Sequence, residues 1–171
     1  MRKGVVVALA LAFALLSEIA AAQEKPTPRA KKAAAGAPKH VVMAESDLKW
    51  EDAPPSLPPG AKSALLHGDP GKPGMFALRV KLPSGYKIAA HWHPTAEYLT
   101  VLSGSLYVGT GDKLDESKGT ELKAGGYASM PARMHHFAWS KGETVFELNS
   151  TGPFKITYVN AADDPRKATK K

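Results

Sequence analysis

The segment HWHPTAE, His91 to Glu97, decides how this chain folds. On an extended strand alternate side chains share a face, so His91 and His93 project together while Trp92 points away. That spacing suits two imidazoles on one ion. Glu97 has matching parity, but four further residues of extended chain carry it about 13 Å from His93 at ~3.3 Å per residue. Metal bonds to nitrogen or oxygen are only about 2.0–2.2 Å. The three residues therefore share an ion only if the chain reverses between them. Pro94 cannot donate to a strand ladder, and an X-Pro step favours a turn. The spacing predicts a hairpin turning at Pro94-Thr95, whose second strand, Glu97 to Ser103, returns the carboxylate to the histidines.

The surroundings fit that reading. From Met75 onward short alternating runs rich in Val, Leu, Tyr, Phe and Thr are separated by turn residues at Pro83-Ser84-Gly85, Ser103-Gly104, Gly125-Gly126 and Thr151-Gly152-Pro153. No segment of this region sustains a helical period. The fold class is all-β, a sandwich or barrel. The Gly109 to Gly119 loop is the longest polar insertion and is expected on the surface. A proline-rich stretch, Ala53 to Gly60, is flanked by Trp50, Leu57, Leu65 and Leu66, which can anchor it as an extended wrap.

A fourth ligand must come from a distant strand. His135 and His136 are adjacent, and strand neighbours face opposite ways, so only one of them can enter the same site.

With these residues in view the chain resembles the cupins. Gly85, His91, His93, Glu97 and Gly104 reproduce the first cupin signature, and Gly125, Pro131 and His136 fit the second. Arg133 stands where the family usually has glycine, and Ser140 where it usually has asparagine. The resemblance implies a jelly-roll barrel, a double-stranded β-helix, with a divalent ion held by His91, His93, Glu97 and His136 near the barrel mouth. Three imidazoles and one carboxylate leave positions open for water, a chelating substrate or dioxygen, which suits Fe, Mn, Ni, Cu or Zn.

Two functions follow. One is a metal-dependent dioxygenase acting on a small chelating molecule such as a β-diketone, with Glu97 as the candidate catalytic residue, either a ligand or the base that removes a substrate proton. The other is a ligand- or metal-binding sensor module without turnover. No P-loop, G-x-S-x-G, H-E-x-x-H or G-x-G-x-x-G occurs, so nucleotide-binding, serine hydrolase and zincin readings lack support.

The remaining side chains receive plainer readings. His135 is expected to point out of the barrel, and Arg133 and His67 to lie in solvated turns. Tyr127, Met130, Leu99 and Val101 are read as pocket wall and core. Strand parity sends Phe137 and Trp139 outward together with Trp92, Tyr98 and Leu102. That apolar face needs cover, from the Trp50 to Leu66 wrap or from a second subunit; of the two, a homodimer is preferred.

The ends of the chain have a different character. Arg2 and Lys3 precede an uncharged run, Val5 to Leu16, that ends near Ala20-Ala21-Ala22, the order of a secretory signal peptide over residues 1–22. The run is short for a membrane span of roughly 20 residues. An exported protein, periplasmic or extracellular, is expected, with an uncleaved amphipathic anchor as the alternative. Residues 23–39, rich in Pro, Ala and Lys, read as a disordered basic linker. The domain is placed at 40–160 and a charged tail at 161–171. The net charge of +7 lies in the ends, because residues 40–160 hold 12 basic and 12 acidic side chains. No nucleic-acid face is expected. With no cysteine, stability rests on a packed core and no thiolate is available as ligand or nucleophile.

Overall fold

In a computed structural model, which describes residues 40–168, the alternating runs pair as strands. In chain order these are β1 Glu51–Asp52, β2 Lys62–His67, β3 Gly74–Leu82, β4 Lys87–Trp92, β5 Glu97–Ser103, β6 Ser105–Thr110, β7 Thr120–Lys123, β8 Tyr127–Met130, β9 His136–Ser140, β10 Thr144–Gly152 and β11 Thr157–Tyr158. They form two antiparallel sheets, ordered β1-β2-β3-β10-β5-β8 and β11-β4-β9-β6-β7. The expected signal peptide and linker lie outside the described residues. Residues 161–168 form a short 3-10 turn and one helical turn.

Alternation builds the core. Phe76, Val80 and Leu82 of β3, Leu99 and Val101 of β5, and Phe146 and Leu148 of β10 face inward from the six-stranded sheet. They meet Ile88, Leu106 and Ala138 from the other sheet. Burial at about 25 cal/mol per Å² of apolar surface is the main force holding the sheets together.

The hairpin expected at Pro94 does not form. β4 pairs with β9 and β11, whereas β5 pairs with β10 and β8 in the opposite sheet. The chain does reverse at Pro94-Thr95, but as an arch from one sheet to the other. Glu97 thus reaches the histidines across the gap between two inner faces, about 10 Å in such packings, rather than along a ladder.

The cover over the outward aromatics also differs from expectation. Phe137 and Trp139 are fully buried in a second cluster with Ala90, against which Tyr107, Leu114 and Val159 pack. The Gly109 to Gly119 loop is therefore more than surface: its Leu114 forms part of the cover, and the backbone of its end glycines, Gly109 and Gly119, lies against these rings. A β-carbon on Gly109 would meet Phe137 at 2.3 Å, and one on Gly119 would meet Trp139 at 1.9 Å. Neither the Trp50 to Leu66 wrap nor a second subunit is needed there.

That wrap is instead tied to the barrel by two tyrosines, Tyr86 donating to the Pro58 carbonyl and Tyr158 to the Ser56 carbonyl at 2.8 Å. Trp50 lies under the Lys81 ammonium, 4.7 Å from the ring centre. Tyr98, Leu102 and Tyr127 remain exposed on the outer face of the six-stranded sheet. For Tyr127 this corrects the pocket-wall reading, because Ala128 and Met130 are the residues of β8 that face inward.

Candidate metal centre

His91 on β4 lies directly opposite His136 on β9, so the two imidazoles share one face of the five-stranded sheet. His93 follows β4, and Glu97 opens β5 in the other sheet. All four are buried, and one ligand atom from each can be chosen so that all lie within 4.8 Å of one another. Two atoms bound to one ion at about 2.1 Å are separated by at most about 4.2 Å. A small contraction therefore completes the site.

Hydrogen bonding orients the rings. Nδ1 of His91 donates to the Ala89 carbonyl at 2.8 Å, Nδ1 of His93 to Lys155 at 3.0 Å, and Nδ1 of His136 to Met134 at 2.9 Å. A backbone carbonyl only accepts, so each Nδ1 carries a hydrogen. In a neutral ring that leaves Nε2 as a lone pair, and backing of this kind is what metal-bound histidines require.

Nε2 of His93 and of His136 lies 3.1 and 3.2 Å from one Glu97 oxygen. With each ring's hydrogen on Nδ1, both Nε2 lone pairs face this carboxylate, and among the described residues neither nitrogen has a hydrogen-bond partner. Such orphaned buried atoms are costly. A divalent cation would satisfy both nitrogens and the carboxylate together, so the residues present fit a metal ion.

The electrostatics agree. Burial, followed by the neighbouring His136 and His93, lowers His91 to about 3, so its ring is neutral at physiological pH. Burial pushes the Glu97 carboxyl upward, but interactions with His136 and His93 outweigh it and hold the group well below the usual carboxylate range. An ionised carboxylate at this depth needs a positive partner.

Neighbouring residues complete the frame. Arg133 has φ 66°, the left-handed conformation that glycine supplies in the cupin signature, and its amide donates to the His93 carbonyl at 2.8 Å. The turn thus survives the substitution, and the guanidinium lies 5.7 Å from the Trp92 ring centre. His135 points outward to Asp112 at 2.6 Å. Ser140 is buried and donates to the Pro83 carbonyl at 2.7 Å.

Alternation places Phe154 at the head of a strand-like run, FKITYVN, and gives it no role at the site. Its ring stacks on His93 with centroids 4.2 Å apart and planes 20° from parallel. No spacing rule links it to the histidines, because it comes from the connection between β10 and β11. Beside the ligands a cavity of about 30 Å³, walled by Leu99, Leu106, Met130 and Phe146, has room for little more than a water or two.

Two sheets closed over three imidazoles and a carboxylate define a cupin-type barrel with a site suited to a divalent metal, and known structures share the fold. The polyketide cyclase RemF from Streptomyces resistomycificus superposes with a TM-score of 0.61 at 16% identity, covering 78% of this chain and 94% of that one. A candidate acetylacetone dioxygenase from Methylibium petroleiphilum gives 0.58 at 22% identity over 74% and 85%. An RmlC-like cupin from Shewanella frigidimarina gives 0.52 at 16% identity over 66% and 91%. By sequence, the chain belongs to the family described as a domain of unknown function, DUF4437, whose profile matches residues 15–157. No curated protein matches it.

Proposed function

We propose that this protein is an exported metal-dependent oxygenase acting on a small chelating molecule. The observation that carries the reading is the convergence of two orphaned imidazole nitrogens on a buried carboxylate, with a third imidazole beside them. His91, His93, His136 and Glu97 would hold an Fe, Mn, Ni, Cu or Zn ion. Bound there, it would supply Lewis acidity and a template with open positions for substrate and dioxygen.

The protein's own residues have separate tasks. The three histidines, backed by carbonyls, fix the geometry, and apolar walls keep bulk water out. Glu97 serves as ligand or, released from that role, as the base that takes the acidic proton of a β-diketone or enol. Support for that substrate class comes from the candidate acetylacetone dioxygenase that shares the fold. Metal-loaded protein is expected to consume oxygen with such substrates, and His93→Ala to abolish the uptake. No uptake across a panel of diketones and enols would contradict the reading.

One observation favours a second reading, a metal-binding module without turnover: the cavity beside the ligands is too small for an organic substrate. Zinc retained through dialysis against a chelator, with no uptake, would support it. A homodimer through the outer face that carries Tyr98, Leu102 and Tyr127 belongs to the first reading, and sedimentation equilibrium tests it.

A further inference from the structure

A second, larger cavity lies at the open edge of the sandwich. It measures about 350 Å³ and is walled by Leu57 of the wrap, Leu65 of β2, Leu78 and Val80 of β3, Leu148 of β10, and Phe154. A cavity of about 150 Å³ holds benzene, so this one has room for a molecule of one or two rings. Arg166 at its rim is engaged by Asp164 and by the Ile156 carbonyl. Ser56, Ser63 and Lys155 also line it, but aliphatic and aromatic side chains make up most of the wall offered to an occupant.

Phe154 belongs to both sites. One contact of its ring is this cavity, and another is the stacked His93 imidazole. The next residue, Lys155, also lines the cavity and accepts the His93 Nδ1 hydrogen through its carbonyl. Phe154 itself is braced edge-on by Phe76 at 5.3 Å and by its amide donating to the Pro70 carbonyl at 2.7 Å. The segment that positions a candidate metal ligand is thus also a wall of the cavity.

The geometry points to the edge cavity as the binding site for the apolar body of the substrate, an uncharged hydrocarbon part of one or two rings, with Phe154 as the partition between it and His93. This accounts for how a site with room for only a water or two accepts an organic molecule: the bulk sits behind Phe154, and displacing that ring opens the way to the metal ligands. The second half of the inference rests on the metal-centre reading, and the first half does not.

Indane, a two-ring hydrocarbon without donor atoms, separates the halves because it cannot itself ligate a metal. In metal-free full-length protein, indane is expected to shift the methyl NMR signals of Leu57, Leu78, Val80 and Leu148 saturably. Leu65→Trp should weaken its binding at least tenfold, because the indole occupies the cavity from a position already half exposed. Shifts confined to other residues, or equal affinity in a folded Leu65→Trp protein, would overturn the cavity assignment. In cobalt-loaded protein, saturating indane is expected to change the visible spectrum, and Phe154→Leu to remove that change. An unaltered wild-type spectrum would overturn the partition. A protein that takes up no cobalt would overturn both the partition and the metal-centre reading, while the NMR titration would still decide the cavity.

Discussion

His91 carries the sharpest pH signature among the candidate ligands. Its ring is lowered to about 3 by burial and by the two neighbouring imidazoles, against an ordinary value of 6.5. Between those values the unfolded chain binds a proton that the folded chain does not. Stability of the metal-free protein should therefore fall as pH drops from about 6.5 towards 3. Urea unfolding at a series of pH values measures this, and a flat profile across the window would contradict a buried neutral His91. Glu97→Gln keeps the size of the side chain and removes its charge, so metal affinity should fall by one to two orders of magnitude while the fold persists. Dye-competition titration reads that loss. The gathering of the candidate ligands was legible from parity and spacing together with the cupin resemblance, because His91, His93 and His136 lie on strands or at their ends. Phe154 was not legible, since stacking between a loop residue and a ligand leaves no periodic trace.

At the scale of elements, the arch between β4 and β5 shows what distance arithmetic can establish. The arithmetic required a reversal at Pro94, which occurs, but it could not distinguish a hairpin from a crossing between sheets. Both return Glu97 to the histidines, and only pairing partners separate them. Polarity alone predicts a surface loop from Gly109 to Gly119 and carries no sign of the role of Leu114 or of the bare backbones of Gly109 and Gly119. Gly119 has φ −88°, which any residue adopts, so its requirement is purely steric. Gly119→Ala should accordingly destabilise the protein by about 1–3 kcal/mol, the usual cost of overpacking, and thermal unfolding of the two proteins measures it.

The wrap offers a test at the same scale. Burial first, and then the charge of Asp164, raises the Tyr158 phenol from 10.0 to about 12, and burial likewise raises Tyr86. Each donates its hydroxyl hydrogen to a carbonyl of the wrap. Between pH 10 and 12 the unfolded state loses the Tyr158 proton that the folded state retains, so stability is full below 10 and is lost as pH rises through about 12. Tyr158→Phe should remove the Tyr158 share of that alkaline loss, leaving the share of Tyr86, and cost about 1 kcal/mol at neutral pH. Denaturant melts at pH 8 and pH 11 read both effects.

For the whole molecule, the fold class was legible because strand alternation is a local property, repeated over many short runs. What covers each outer face was not, since it depends on which distant segments meet. Phe137 and Trp139 are covered by the chain itself, whereas among the described residues nothing covers Tyr98, Leu102 and Tyr127. Candidate ligands drawn from both sheets would make a bound ion a clamp between them. Binding only the folded state at a hundredfold excess over Kd adds about 2.7 kcal/mol. For a domain of this size that raises Tm by about 10 °C.

The central claim is that His91, His93, Glu97 and His136 form one metal centre, and calorimetric titration of the metal-free full chain with cobalt or zinc tests it most directly. One equivalent should bind per chain, with affinity reduced at least a hundredfold in both His93→Ala and His136→Ala. Wild-type protein that binds no metal, or folded variants that bind it as tightly as wild type, would contradict the account.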